Sequence, residues 1–150
     1  EAPCAPEDVA GLARVAGEAG VPVAAGEEWH NVYEARQRLD VAPLAYVQPE
    51  MAHTGVSQFM AIGAMAHARG SAVIPHATIG VGIFMAASLH ASAALANCPY
   101  HEYQHSVFDR NLAFVDTSMA CAQGRYALPA GPGLGVTPRD ALWQYATPPR

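Results

Sequence analysis

Apolar residues recur at helical spacing in four stretches of the chain, with short unbroken apolar runs between them. Val9, Leu12, Ala13 and Ala16 share one face of a helix predicted over Pro6 to Gly17, with Pro-Glu-Asp in its first turn. Val21 to Gly26 reads as a strand, and Asn31 to Leu39 as a second helix capped by Asn31. A strand over Leu44 to Gln48 leads to a third helix over Val56 to Ala68, closed by Gly70. A strand over Ala72 to Pro75, a fourth helix over Val81 to Ala96 and a strand from Tyr100 complete the series. Short apolar strands alternating with helices of about three turns mean βα units around a parallel sheet. The pattern changes at Ser106, after which there is no Glu and no His. The stretch "LPAGPGLGVTPRDALWQYATPPR" reads as coil or β-ribbon with a short helix near Pro138 to Tyr145, a tail that packs on something and is not another barrel repeat.

Composition narrows the class. The chain has 150 residues, 51% apolar and 14% charged, with a net charge of −5. That is one soluble globular unit with residues enough for a core. The acidic balance and the lack of a basic run exclude a nucleic-acid or membrane-surface partner. All eight basic residues are Arg, and there is no Lys. Cys4, Cys98 and Cys121 are odd in number and lack C-x-x-C spacing, which predicts buried thiols in a reducing, cytoplasmic compartment. No signal peptide is visible, and "EAPCAPEDVAG" reads as the middle of a domain. The tract from Gly80 to Ala96 is interrupted by Ser88, His90 and Ser92, so it reads as a buried helix rather than a membrane span.

One feature of the spacing carries chemistry. Glu1, Glu27, Glu50, His76 and Glu102 each stand at the end of a predicted strand, at steps of 26, 23, 26 and 26 residues. Polar residues at strand ends also serve as caps or loop residues, so any one of them alone means little. Five in phase are the mark of a βα barrel, whose catalytic groups project from the carboxyl ends of the strands.

"HEYQH", residues 101 to 105, also spells the zinc-protease pattern H-E-x-x-H. That chemistry needs a helix, because only i, i+4 spacing puts both His on one face. Pro99 precedes the motif, Tyr100 and Tyr103 favour strand, and the βα rhythm calls for a strand here. In a strand His101, Tyr103 and His105 face one way, and Tyr100, Glu102 and Gln104 the other. The zinc geometry then fails. Either Glu102 or the His101, Tyr103 and His105 face points into the barrel.

Glu1-Ala2-Pro3, Gly26-Glu27-Glu28-Trp29, Gln48-Pro49-Glu50, Pro75-His76 and His101-Glu102 follow in order at strand ends. In this the chain resembles the C-terminal half of an enolase-superfamily enzyme of the mandelate racemase/muconate lactonizing enzyme-like family. The closing "GPGLGV" resembles the segment with which that chain leaves the barrel. The resemblance covers essentially all 150 residues. It implies the C-terminal half of a (β/α)7β, TIM-like barrel over residues 1–105. It further implies a C-terminal tail over 106–150 that packs against an α+β capping domain. It implies Mg²⁺ bound by Glu1 and Glu27, His76 as general acid/base, Glu50 as its hydrogen-bonding partner, and Glu102 stabilising an enolate oxygen. The family commonly forms homo-oligomers. Two departures stand out. The His partner is usually Asp, and here it is Glu50. The third-strand metal ligand and second-strand Lys of the family would lie upstream of Glu1. The sequence is therefore expected to be an excerpt of a longer chain, since four open βα units would expose sheet edges and apolar barrel interior.

Carboxylates suit Mg²⁺ better than zinc, and a hard cation stabilises the charge formed when a proton leaves carbon next to a carboxylate. His76 can exchange that proton near neutral pH, with a carboxylate behind it fixing its tautomer. Glu28 reads as solvated or as a second layer behind Glu27. Rim candidates His30, His53, Thr54, Thr78, Tyr103 and His105 suit a polyhydroxylated acid better than an aromatic one. The expectation is dehydration of an acid sugar. A racemase, epimerase or cycloisomerase is the alternative within the family, and a non-catalytic barrel fragment the alternative outside it.

Overall fold

The computed structural model describes residues 1–77 and 80–147. Thr78 among the rim candidates, and the tail's last three residues, lie outside the described residues. Helix α1 spans Val9–Glu18 and starts three residues later than the sequence pattern places it. The Asp8 side chain accepts from the Gly11 amide and satisfies one of the free donors of the first turn. Strand β1 (Ala24–Ala25) follows, then helix α2 (Val32–Leu39), with Asn31 capping the Tyr33 and Glu34 amides as predicted. Strand β2 (Tyr46–Val47) leads into helix α3 (Met51–Ala68). At Gly55 φ is +62°, so the first turn of α3 is offset from the regular helix that follows, the part visible in the sequence. Strand β3 (Ala72–Val73) and helix α4 (Ile83–Ala93) complete the βα series.

The strands are parallel in the order β1-β2-β3, with Ala25, Val47 and Val73 in register. All three are buried in one cluster with Leu12, Trp29, Leu39, Ile62 and Ala66, so this core lies between the strand arc and the helices. Phe59 is fully buried under α4, next to Met51 and Ala91. Truncating a buried Phe to Ala costs about 3–5 kcal/mol, so these helix faces carry much of the stability.

The arc extends beyond β1 and β3. The Ala2 amide donates to Ala24 O on the free side of β1 at 3.0 Å. On the free side of β3, Val73 N donates to Asn97 O and Glu102 N to Pro75 O, at 2.8 and 3.3 Å. Five chain segments thus lie side by side, and their ends carry Glu1, Glu27, Glu50, His76 and Glu102 in spatial order.

One expectation needs correction. The stretch from Tyr100 lies beside β3 but forms no regular strand, because only isolated bonds tie it there. Helix α5 (His105–Leu112), which the sequence pattern does not predict, follows it, and its Phe108 is buried with Met85 and Leu89 of α4. The residue-105 boundary therefore falls on the first residue of a helix. Beyond it, β4 (Val115–Thr117) pairs with β7 (Val136–Pro138), and β5 (Ala120–Ala122) with β6 (Arg125–Ala127) in a tight hairpin. Short helix α6 (Asp140–Trp143) lies within the span predicted for it. Met119 is buried in the cluster under α4, and Cys121, Tyr126 and Leu134 pack against it. All three cysteines are free and half-buried rather than buried. No helix among the described residues is long and apolar enough to cross a membrane.

Candidate active site

Gly26 ends β1 with φ +130°, and a Cβ there would stand 3.0 Å from the backbone nitrogen of Gln48. Only glycine fits that close approach and that dihedral at once. The chain then turns through a bond from Trp29 N to Gly26 O at 3.2 Å, which leaves Glu27 above the end of the strand. Trp29 is buried, with the Arg38 guanidinium 5.8 Å over its ring.

Glu50 ends the β2 segment and caps α3. Its Oε1 accepts from Ala52 N at 3.1 Å, and its Oε2 lies 2.7 Å from Nδ1 of His76. A carboxylate accepts, so Nδ1 carries the hydrogen and Nε2 faces the other way. Nε2 lies 3.8 Å from Oε2 of Glu27. Glu50 is 4% exposed, so this pair is held in a sheltered setting. The bond to Glu50 raises the His76 pKa above its usual range, against an opposing effect of burial.

Ligand atoms of Glu1, Glu27 and His76 lie within 4.8 Å of one another. Burial pushes the Glu27 carboxyl up, and the charges of Glu1, Glu28 and Glu102 push it further, against His76. Crowded carboxylates of this kind fit a hard divalent cation, which oxygen donors bind and whose charge offsets their repulsion. The residues present therefore suit Mg²⁺, with Glu1 and Glu27 as the oxygen donors.

Glu102 points to the same region. Gln48 Nε2 donates to its Oε1 at 2.7 Å, and the Ala77 amide donates to its Oε2 at 2.9 Å. His101 faces away: its Nδ1 donates to Glu102 O at 2.9 Å, and Ser88 Oγ of α4 donates to its Nε2 at 2.8 Å. Burial holds the His101 pKa down. His105 sits exposed at the start of α5, so the two histidines of "HEYQH" share no site. The zinc pattern is a coincidence of letters.

The Enolase C-terminal domain-like family matches residues 1–142. The chain belongs to the enolase superfamily. It is 30% identical over 99% of its length to D-galactarolactone cycloisomerase of Agrobacterium fabrum, of which it covers 42%. It is 30% identical over 95% of its length to D-galactonate dehydratase of Ralstonia nicotianae, of which it covers 39%. The crystal structure of an enolase-superfamily member from Agrobacterium tumefaciens superposes with TM-score 0.91 at 50% identity, over 95% of this chain and 37% of that one. The chain thus spans about two fifths of these relatives, as a portion of the enolase-type barrel with its C-terminal segment.

Within this enolase-superfamily fold the five residues named from the strand-end phase all meet at one end of the arc. Of the rim candidates, His53 and His30 stack with ring centroids 5.2 Å apart, and His53 Nδ1 lies 3.0 Å from Glu27 O. Thr54 is turned inward, with its hydroxyl donating to Glu50 O. Tyr103 packs edge-on against Phe108 and Tyr126. A cavity of about 680 Å³ lies away from the site. It opens between α4, the segment before α5 and the β5–β6 hairpin, and contains none of the five. Sequence reasoning gave no role to Gln48 or Tyr126, the latter donating its hydroxyl to Glu102 O at 2.8 Å. Gln48 stands in the Gln48-Pro49-Glu50 segment, but its partner lies 54 residues away. Nothing local in the sequence signals Tyr126.

Proposed function

We propose that the protein containing this span exchanges the proton α to a carboxylate in an acid sugar, with dehydration as the net reaction. The observation that carries this is the His76 imidazole, pinned by Glu50 at 2.7 Å with its free nitrogen turned toward Glu27. Glu50 fixes the tautomer and favours the protonated ring, so Nε2 is the atom that gives or takes a proton. Mg²⁺ bound by Glu1 and Glu27 would supply Lewis-acid stabilisation of negative charge developing on the substrate carboxylate. Glu102, held at both oxygens, stands where it can meet a substrate oxygen. In dehydration Nε2 of His76 takes the α-proton, the C–O bond on the β carbon breaks, and that proton leaves with the hydroxyl as water. The resulting enol tautomerises to a 2-oxo-3-deoxy acid. The polar rim at His30 and His53 fits substrate hydroxyls, and a homo-oligomer of the full protein accords with the family.

Likeness to a protein named D-galactonate dehydratase supports this reading. Likeness to one named D-galactarolactone cycloisomerase favours a second, in which His76 protonates carbon after an intramolecular ring opening. Incubating the full-length protein and Mg²⁺ with a panel of acid sugars and their lactones separates the two. A 2-oxo acid formed from an open-chain acid sugar with loss of one water supports dehydration. A lactone converted to a ring-opened product of unchanged mass supports the cycloisomerase.

A further inference from the structure

We infer that Gln48 is a positioning residue that fixes the Glu102 carboxylate relative to the His76–Glu50 pair, an inference that rests on the function proposed above. Gln48 is 3% exposed, and its Nε2 donates to Glu102 Oε1 at 2.7 Å across 54 residues of sequence. Its Oε1 is buried without a hydrogen-bond partner among the described residues. A buried amide oxygen left unpaired is costly, and a leucine of similar size would avoid it. The amide cannot turn over to help, because its oxygen would then face a carboxylate oxygen. The side chain is thus committed to one bond, the one to Glu102.

That bond closes a ring of contacts. Glu50, two residues beyond Gln48, holds His76 at Nδ1. Ala77, the residue after His76, holds the second oxygen of Glu102 through its amide. Pro49, between Gln48 and Glu50, is fully buried and keeps their relative placement. Glu102 and His76 therefore cannot move apart while the Gln48 bond stands. Removing its donor leaves the carboxylate attached at one oxygen and free to rotate. Gln48 touches no reacting atom in this account and acts through Glu102 alone.

The test uses the full-length protein with Mg²⁺ and an acid sugar that it turns over. Gln48→Leu should lower kcat by about tenfold to a hundredfold, with KM and Mg²⁺ affinity little changed, as loss of one bond to a charged group implies. Gln48→Glu, which keeps the shape, sets two carboxyl groups at hydrogen-bond distance, so they share a proton and displace the pH–rate profile. A purely structural role would lower thermal stability and leave that profile where it is. If Gln48→Leu does not fold, the Gln48→Glu profile decides. Wild-type kcat in Gln48→Leu, or an undisplaced profile in Gln48→Glu, overturns the inference. His76→Asn run in parallel tests the underlying reading: if it retains α-proton exchange, the proposed function falls, whatever Gln48 does.

Discussion

Glu50 divides its carboxylate between two tasks, with Oε1 on the Ala52 amide at the start of α3 and Oε2 on Nδ1 of His76. The orientation of the imidazole is therefore tied to the capping of the helix that follows it in the barrel wall. An aspartate, shorter by one methylene, would keep a carboxylate at the cap but draw it back from His76. Glu50→Asp should lower turnover with little loss of stability, because aspartate is itself a preferred cap residue. Kinetics and chemical denaturation on the same samples check both effects.

The same pair sets a pH dependence. Glu50 raises the His76 pKa, so protonated His76 contributes stability that is present below the unfolded histidine value of about 6.5 and is lost as pH rises through the folded value. Glu50→Gln keeps the cap's acceptor but removes the charge. It should move the His76 titration to lower pH, read by NMR of the imidazole with and without Mg²⁺.

His101 works in the opposite sense. Burial holds its folded pKa down, so the folded state resists the proton that the unfolded chain accepts. Its effect is absent above about pH 6.5 and costs stability as pH falls below that value toward the folded pKa. His101→Gln should flatten the acid side of a plot of Tm against pH between about 7.5 and 5. An unaltered slope on that side would remove His101 as its source.

Gly26 and Glu27 are coupled by backbone geometry. Gly26→Ala brings a Cβ to 3.0 Å from Gln48 N at φ +130°. It should cost about 1–3 kcal/mol of stability and displace Glu27. Glu27→Gln leaves the fold intact but should weaken Mg²⁺ binding by more than the roughly 10–100-fold that loss of an outer partner costs. Calorimetric titration of Mg²⁺ into both variants checks this, and unchanged affinity in Glu27→Gln removes it from the donor set.

Much of this arrangement was legible where the physics is local or periodic. Asn31 announced its helix because its side chain can reach two amides of the next turn, and Gly70 closed α3 by adopting φ +77°. The common step between Glu1, Glu27, Glu50, His76 and Glu102 placed them together because each βα unit returns the chain to the same end of the sheet. What the sequence left open depends on contacts between distant segments. The face of "HEYQH" that points to the site is decided by Ser88 binding His101 from α4 and by Gln48, just after β2, binding Glu102. Helix α5 was missed because it begins without a side-chain cap and is held mainly by Phe108 in a pocket that α4 provides. Gln48 stayed silent for the same reason, since an amide reveals its task only when its partner is in place.

The central claim is that Nε2 of His76 exchanges the proton α to a carboxylate. It is tested most directly by incubating the full-length protein, Mg²⁺ and an acid sugar in deuterium oxide and following the α-hydrogen by NMR. Wild-type protein should exchange that hydrogen, and His76→Asn, which keeps a similar shape without a titratable nitrogen, should not. Exchange that persists at the wild-type rate in His76→Asn would contradict the account.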